Sequence, residues 1–233
     1  MHTIWENPDW PCYVFDEQVV ARAYDAYLIQ KQVTDIVFGF LDSDMRMRMH
    51  AQSLSEEIQS SLEIEGESIA YESVFSSICK KLDVHLEQSA KSDRYAESIA
   101  SLALDATENL ETMTKTRIMG WHSLLFSSLA GLKPKRIGEY RDAPVYISRG
   151  NGKDSRIIYE GLPAVRIEEE MGRLVDFINE DNEQRPLVKS AIVSLWFLCI
   201  HPFEDGNGRI SRVLSDYVIS KGFGVTHRVY SMS

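Results

Sequence analysis

His201-Pro-Phe-Glu-Asp-Gly-Asn-Gly-Arg-Ile-Ser-Arg212 is the stretch that decides how this chain of 233 residues is read. The run before it, Leu187 to Ile200, is mostly apolar and long enough for a buried helix. Pro202 ends that helix, and Gly206 and Gly208 permit a tight turn whose backbone N–H groups point inward. From Arg209 the apolar residues Ile210, Val213, Leu214, Tyr217 and Val218 recur at helical spacing. That places Gly206-Asn207-Gly208 at a helix N-terminus, where unpaired N–H groups and the positive dipole end favour an anion. Arg209 and Arg212 lie on neighbouring positions of one helix face and can address two successive phosphates. Asp205 is placed to hold a hard cation such as Mg²⁺ against those phosphates. His201, with an unperturbed pKa of about 6.5, is the candidate general base. The Phe203 ring has no chemistry to offer and reads as an anchor for the loop, while Glu204 reads as solvent-facing.

These twelve residues resemble the signature of the Fic family, HPFx(D/E)GNGRxxR, and match it at every defined position. The resemblance implies an all-α fold: a Fic-type helical bundle core with a small β-hairpin flap and an N-terminal helical domain. It also implies adenylyl transfer, in which AMP moves from ATP to a Ser, Thr or Tyr hydroxyl of a protein and pyrophosphate leaves. Carried onto this sequence, His201 would be the base and Asp205 the Mg²⁺ ligand. Asn207 and the amides of Gly206 and Gly208 would hold the α-phosphate, and Arg209 and Arg212 the β- and γ-phosphates. Related members transfer other phosphate-containing groups or remove AMP.

Ser61-Leu-Glu-Ile-Glu65-Gly66 resembles the inhibitory pattern of that family, (S/T)xxxE(G/N), and lies N-terminal to the core as in one class of its members. Ser61 and Glu65 are four apart and share a helix face, and Gly66 is a natural helix stop. The resemblance implies a bidentate pair between Glu65 and Arg212 that occupies the place of the γ-phosphate. Two other readings stay open: Glu65 could position a water that removes AMP, or the chain could be a truncated, non-enzymatic interaction module.

The bulk properties exclude some classes. A formal charge of −10 argues against a nucleic-acid surface, which needs a basic patch. Cys12, Cys79 and Cys199 have unrelated spacings that suggest neither a disulfide framework nor a zinc site, and Cys79 and Cys199 read as buried small hydrophobes. The N-terminus lacks the basic and apolar blocks of a signal peptide, and Leu187–Ile200 is too short to span a membrane, so a cytoplasmic protein is expected.

Two domains are expected, 1–88 and 89–233, with the boundary in the polar stretch Glu87 to Arg94. Helical patterns run from Glu17 to about Leu41, Met45 to Ile64, Ser68 to Leu86, Tyr95 to Leu110, Thr112 to Ala130 and Val165 to about Asn179. Met45, Met49 and Gln52 form one possible buried row. The opening with Trp5, Pro8, Trp10 and Pro11 loosely resembles a small helical domain that precedes many Fic cores. Residues 144–160 break the helical pattern, with two β-like runs around Gly150-Asn151-Gly152. In the family a hairpin here is a flap that aligns an extended target segment by β-augmentation. Tyr140 and Arg141 match a common pattern before the flap without an assigned role, and His122 reads as structural. Relatives usually continue well past the position of Ser233. A homodimer is a further expectation from the family.

Overall fold

A computed structural model of the chain describes residues 3–87, 90, 93–127, 134–149, 156–181, 183 and 185–224. Among these are eight α-helices and one two-stranded antiparallel hairpin. The helices are α1 (Glu17–Gly39), α2 (Ser43–Ile64), α3 (Tyr71–Lys81), α4 (Arg94–Glu108), α5 (Lys115–Ser127), α6 (Ile167–Asn179), α7 (Pro186–Ile200) and α8 (Asn207–Phe223). Aspartates start three of them: Asp16, Asp42 and Asp93 each accept hydrogen bonds from first-turn amides of α1, α2 and α4. Pro186 opens α7 at the one turn where a missing N–H costs nothing.

The site is carried by α7 and α8, which pack along each other and are joined by the loop 201–206. Val193, Phe197 and Ile200 of α7 and Ile210, Leu214 and Tyr217 of α8 are buried with Ile99 and Leu102 of α4 and Ile118, Trp121 and Leu125 of α5. Each such side chain contributes about 1.5–3 kcal/mol when removed from water, so the pair is anchored on both sides. The helix expected from Arg209 begins two residues earlier, at Asn207, with Gly206 as its cap.

α2 lies over α3 and reaches α8 with its C-terminal end. The expected buried row of Met45, Met49 and Gln52 is wrong: Met45 and Met49 are 49% and 38% exposed, and Gln52 is exposed too. The buried row is Ala51, Leu54, Ile58 and Leu62, on a different side of the helix. His50, Ser53, Ser55 and Glu57 are buried beside it, and these polar residues hide the inner face from a reading by hydropathy alone.

The N-terminal aromatics tie the chain's opening to the core. The Trp10 indole donates to Glu170 at 2.9 Å and packs edge-on against Trp196, while Trp5 donates to the Glu160 carbonyl at 2.9 Å. Strands β1 (Tyr146–Arg149) and β2 (Arg156–Glu160) pair Tyr146 with Glu160 and Arg149 with Arg156, with an irregularity after Ile147. The expected turn Gly150-Asn151-Gly152 lies outside the described residues. Cys79 and Cys199 are buried and Cys12 is exposed. No helix among the described residues is long and apolar enough to cross a membrane.

Candidate active site

The loop 201–206 is shaped from beneath. Asn207 is buried, and its side chain closes a reciprocal clamp on Phe203: Oδ1 accepts from the Phe203 N–H at 3.0 Å and Nδ2 donates to the Phe203 carbonyl at 2.9 Å. Its side chain is therefore committed to the loop, and what Asn207 offers an anion is its backbone N–H, one of those a helix start leaves without a helical partner. Phe203 is fully buried and stacks on His122 with ring centroids 4.0 Å apart. His122 Nδ1 accepts from the Gly138 N–H at 2.9 Å, so its proton sits on Nε2, which faces the Asp205 carbonyl at 3.2 Å. Burial holds the His122 imidazole down at about 4. The structural role expected for His122 is thus a specific one, a neutral prop under the loop. Gly206 takes φ +78° and a Cβ there would meet Phe126 and Leu125 within 3 Å, so only glycine fits this turn.

His201 closes α7 in the left-handed region, at φ 52° and ψ 59°, which few non-glycine residues adopt. Its Nδ1 lies 3.3 Å from the Leu198 carbonyl, an acceptor only, so Nδ1 carries the proton and Nε2 keeps its lone pair. Burial lowers the pKa of the imidazole, and the Arg141 charge lowers it further. The Leu198 contact and the Asp205 carboxylate act the other way.

Asp205 is exposed and its Oδ1 accepts from the Gly206 N–H at 2.6 Å. No cluster of three or more metal-ligating side chains occurs among the described residues. A single, solvent-open hard carboxylate beside a glycine turn at a helix N-terminus suits Mg²⁺, which keeps several waters and takes phosphate oxygens as ligands. Glu204 is exposed as expected, yet its carboxylate accepts from the backbone N–H of Lys135 at 2.8 Å.

Both arginines of the cradle are occupied by carboxylates from the end of α2. Arg212 donates through Nη2 to Glu65 Oε1 at 2.7 Å, through Nε to Ser61 Oγ at 2.7 Å and through Nη2 to the Ser61 carbonyl at 3.0 Å. The pair is not the bidentate fork expected, because Nε is spent on Ser61 and one carboxylate oxygen carries the contact. A Cβ on Gly208 would stand 2.5 Å from Glu65 Oε1, so this carboxylate lies directly on the first turn of α8. It sits where a helix N-terminus favours an anion.

Arg209 is 4% exposed, and its Nη1 is bonded to Glu67, a residue sequence reasoning missed. Glu67 Oε2 accepts from the Tyr95 hydroxyl at 2.7 Å, and the Arg209 guanidinium lies over the Phe126 ring. The Arg209 Nε is buried without a hydrogen-bond partner. One local signal could have found Glu67. Gly66 takes φ +73°, its N–H bonds to the Glu63 carbonyl and the Glu67 N–H to the Leu62 carbonyl, a Schellman ending. A glycine stop of this kind turns the chain sharply, and Glu65 and Glu67 then flank it, each facing one arginine.

The helical bundle thus presents a glycine turn, a histidine and two arginines on one hairpin of helices, α7 and α8. Residues 112–219 match the model of the Fic/DOC family. Residues 3–84 match a second model, a domain of unknown function called DUF4172. A Fic family protein from Desulfovibrio desulfuricans G20 is 26% identical with a TM-score of 0.63, over 90% of this chain and 59% of that one. A Fic-domain-containing signalling protein from Bacteroides thetaiotaomicron VPI-5482 shares the fold at 19% identity and TM-score 0.56, over 82% of this chain and 72% of that one. So does Fic-1 (aa134–508) from C. elegans, at 19% identity and TM-score 0.58, over 88% of this chain and 60% of that one. The chain thus spans about three fifths of the length of the Desulfovibrio relative. No curated protein matches it.

Proposed function

We propose that this protein is an adenylyltransferase that moves AMP from ATP to a protein hydroxyl and is held off by its own α2 end. One observation carries the reading: an internal carboxylate, Glu65, lies on the first turn of α8 while it binds Arg212. A site built for an anion and filled by the protein's own anion is the expected form of an autoinhibited phosphate site. In the reaction His201 Nε2 would take the proton of the target hydroxyl, and the freed oxygen would attack the α-phosphorus. The bond to the bridging oxygen would break and pyrophosphate would leave. The amides of residues 206–208 would receive charge on the α-phosphate, and Arg209 and Arg212 would receive the leaving phosphates. Asp205 would hold Mg²⁺, which supplies charge neutralisation along the triphosphate when bound. The hairpin carries exposed Tyr146, Ile147, Ile157 and Ile158 and would align an extended target segment.

In the inhibited state Glu65 would exclude the γ-phosphate and Glu67 would hold Arg209 from the β-phosphate. Labelled ATP and Mg²⁺ should leave label on protein, and loss of label from premodified protein with none gained would reverse the assigned direction. Glu67→Gln keeps size while removing charge, and should tighten ATP binding about threefold by calorimetry. Weaker binding would show instead that Glu67 orients Arg209 for the nucleotide.

A further inference from the structure

We propose that Arg141 is a positioning residue that fixes His201 and the foot of the hairpin against one another through the main chain. The proposal rests on the reading of His201 as the base.

Arg141 is 4% exposed. Its Nε donates to the His201 carbonyl at 2.6 Å, Nη1 to the Ala143 carbonyl at 2.7 Å, and Nη2 to the carbonyls of Leu162 at 2.6 Å and Ile200 at 3.2 Å. Its own N–H bonds to the Pro202 carbonyl at 2.9 Å. These acceptors belong to three segments. Ile200 ends α7, His201 and Pro202 begin the loop, and Ala143 and Leu162 stand at the two feet of the hairpin. Every one of them is a main-chain carbonyl. A buried cation is costly unless it is satisfied. Here the carbonyl-rich C-terminal end of α7, with its partial negative charge, offsets that cost.

The planar fork explains why arginine stands here. Its donors point along fixed directions and meet four carbonyls at once, which the compact ammonium of lysine cannot do. Space is closed on the hairpin side as well: a Cβ on Gly161 would stand 2.5 Å from Val145 and 3.0 Å from Arg141 Nη2. The His201 carbonyl is thereby pinned next to the backbone angles that hold the imidazole. His201 sits in the left-handed region, where it relaxes to ordinary geometry if nothing holds it. The same guanidinium opposes protonation of the imidazole, as burial does, while Asp205 and the Leu198 carbonyl favour it. Arg141 thus joins the place where the proton is taken to the place where the hairpin would present the target.

The test uses the whole chain, in the parental and Glu65→Gly backgrounds, with Arg141→Lys and Arg141→Met. His201 is followed by NMR titration of labelled histidine, and kcat and KM for ATP are measured with folding checked by thermal melting. Arg141→Lys should lower kcat roughly tenfold or more while KM for ATP stays within twofold, because the 206–212 cradle does not lean on Arg141. The His201 titration should move up in Arg141→Met and less in Arg141→Lys. If the methionine variant does not fold, the lysine variant decides. Parental kcat in Arg141→Lys, or an unmoved His201 titration in a folded neutral variant, would overturn the proposal. The titration needs no turnover, so an absence of transfer in every variant would count against the proposed reaction and leave this inference separately readable.

Discussion

The loop 201–206 and the end of α2 face the same two arginines, but they are held in opposite ways. The loop is fastened by buried, mostly neutral contacts: the Asn207 clamp, the Phe203–His122 stack and the Arg141 fork. The end of α2 meets the site through charged groups that water still reaches, with Glu65 32% and Arg212 24% exposed at their side chains. Partly exposed ion pairs of this kind contribute on the order of 1 kcal/mol or less. Breaking a buried hydrogen-bonded clamp leaves unpaired groups that cost about 1–3 kcal/mol each. The difference separates a fixed element from a removable one. Under the proposed autoinhibition, the loop geometry would survive while the end of α2 moves away.

The largest effect should come from the fixed side. His201→Ala removes the proposed base and should slow transfer by about 10²–10⁴-fold, while ATP affinity stays within a few-fold. The buried, lowered imidazole also gives a pH sign: His201 should remain neutral below the usual histidine range, so the rate should level off at a pH under 6.5. Equal rates for parent and His201→Ala would dissolve the contrast, since the loop would then hold nothing reactive.

A second effect tests the prop under the loop. His122 has a folded pKa of about 4 against an ordinary 6.5. The unfolded chain takes up a proton as pH falls below 6.5 and the folded chain does not until about 4. The stability is therefore fully present above 6.5 and lost as pH falls towards 4. That shift corresponds to about 3 kcal/mol. Chemical denaturation at neutral and acid pH should show this loss in the parent and much less of it in His122→Gln. A parallel fall in both proteins would mean that His122 is not the group that makes the loop acid-sensitive.

The fixed side was the more legible in sequence. Apolar spacing in 187–200 and 210–218 places α7 and α8, and glycines at 206 and 208 place the turn between them. The spacing of Ser61, Glu65 and Gly66 was also readable, because a helix face and a helix stop are local features. Glu67 was signalled only by the glycine stop beside it: its partner Arg209 is distant in sequence, and the backbone turn at Gly66 brings the two together. Arg141 escaped for a related reason: carbonyl partners carry no side-chain signature. The buried row of α2 was misplaced because histidine, serine and glutamate share it. Burial by packing on α3 and α4 overrides hydropathy there.

The central claim is that Glu65 holds the site shut. The direct measurement is the initial rate of label transfer from ATP to protein, at saturating ATP and Mg²⁺, for the parent and for Glu65→Gly. Freeing Arg212 and the first turn of α8 lets the triphosphate align, so the rate should rise roughly tenfold or more, equivalent to about 1.4 kcal/mol of barrier. Equal rates for the two proteins would contradict the account.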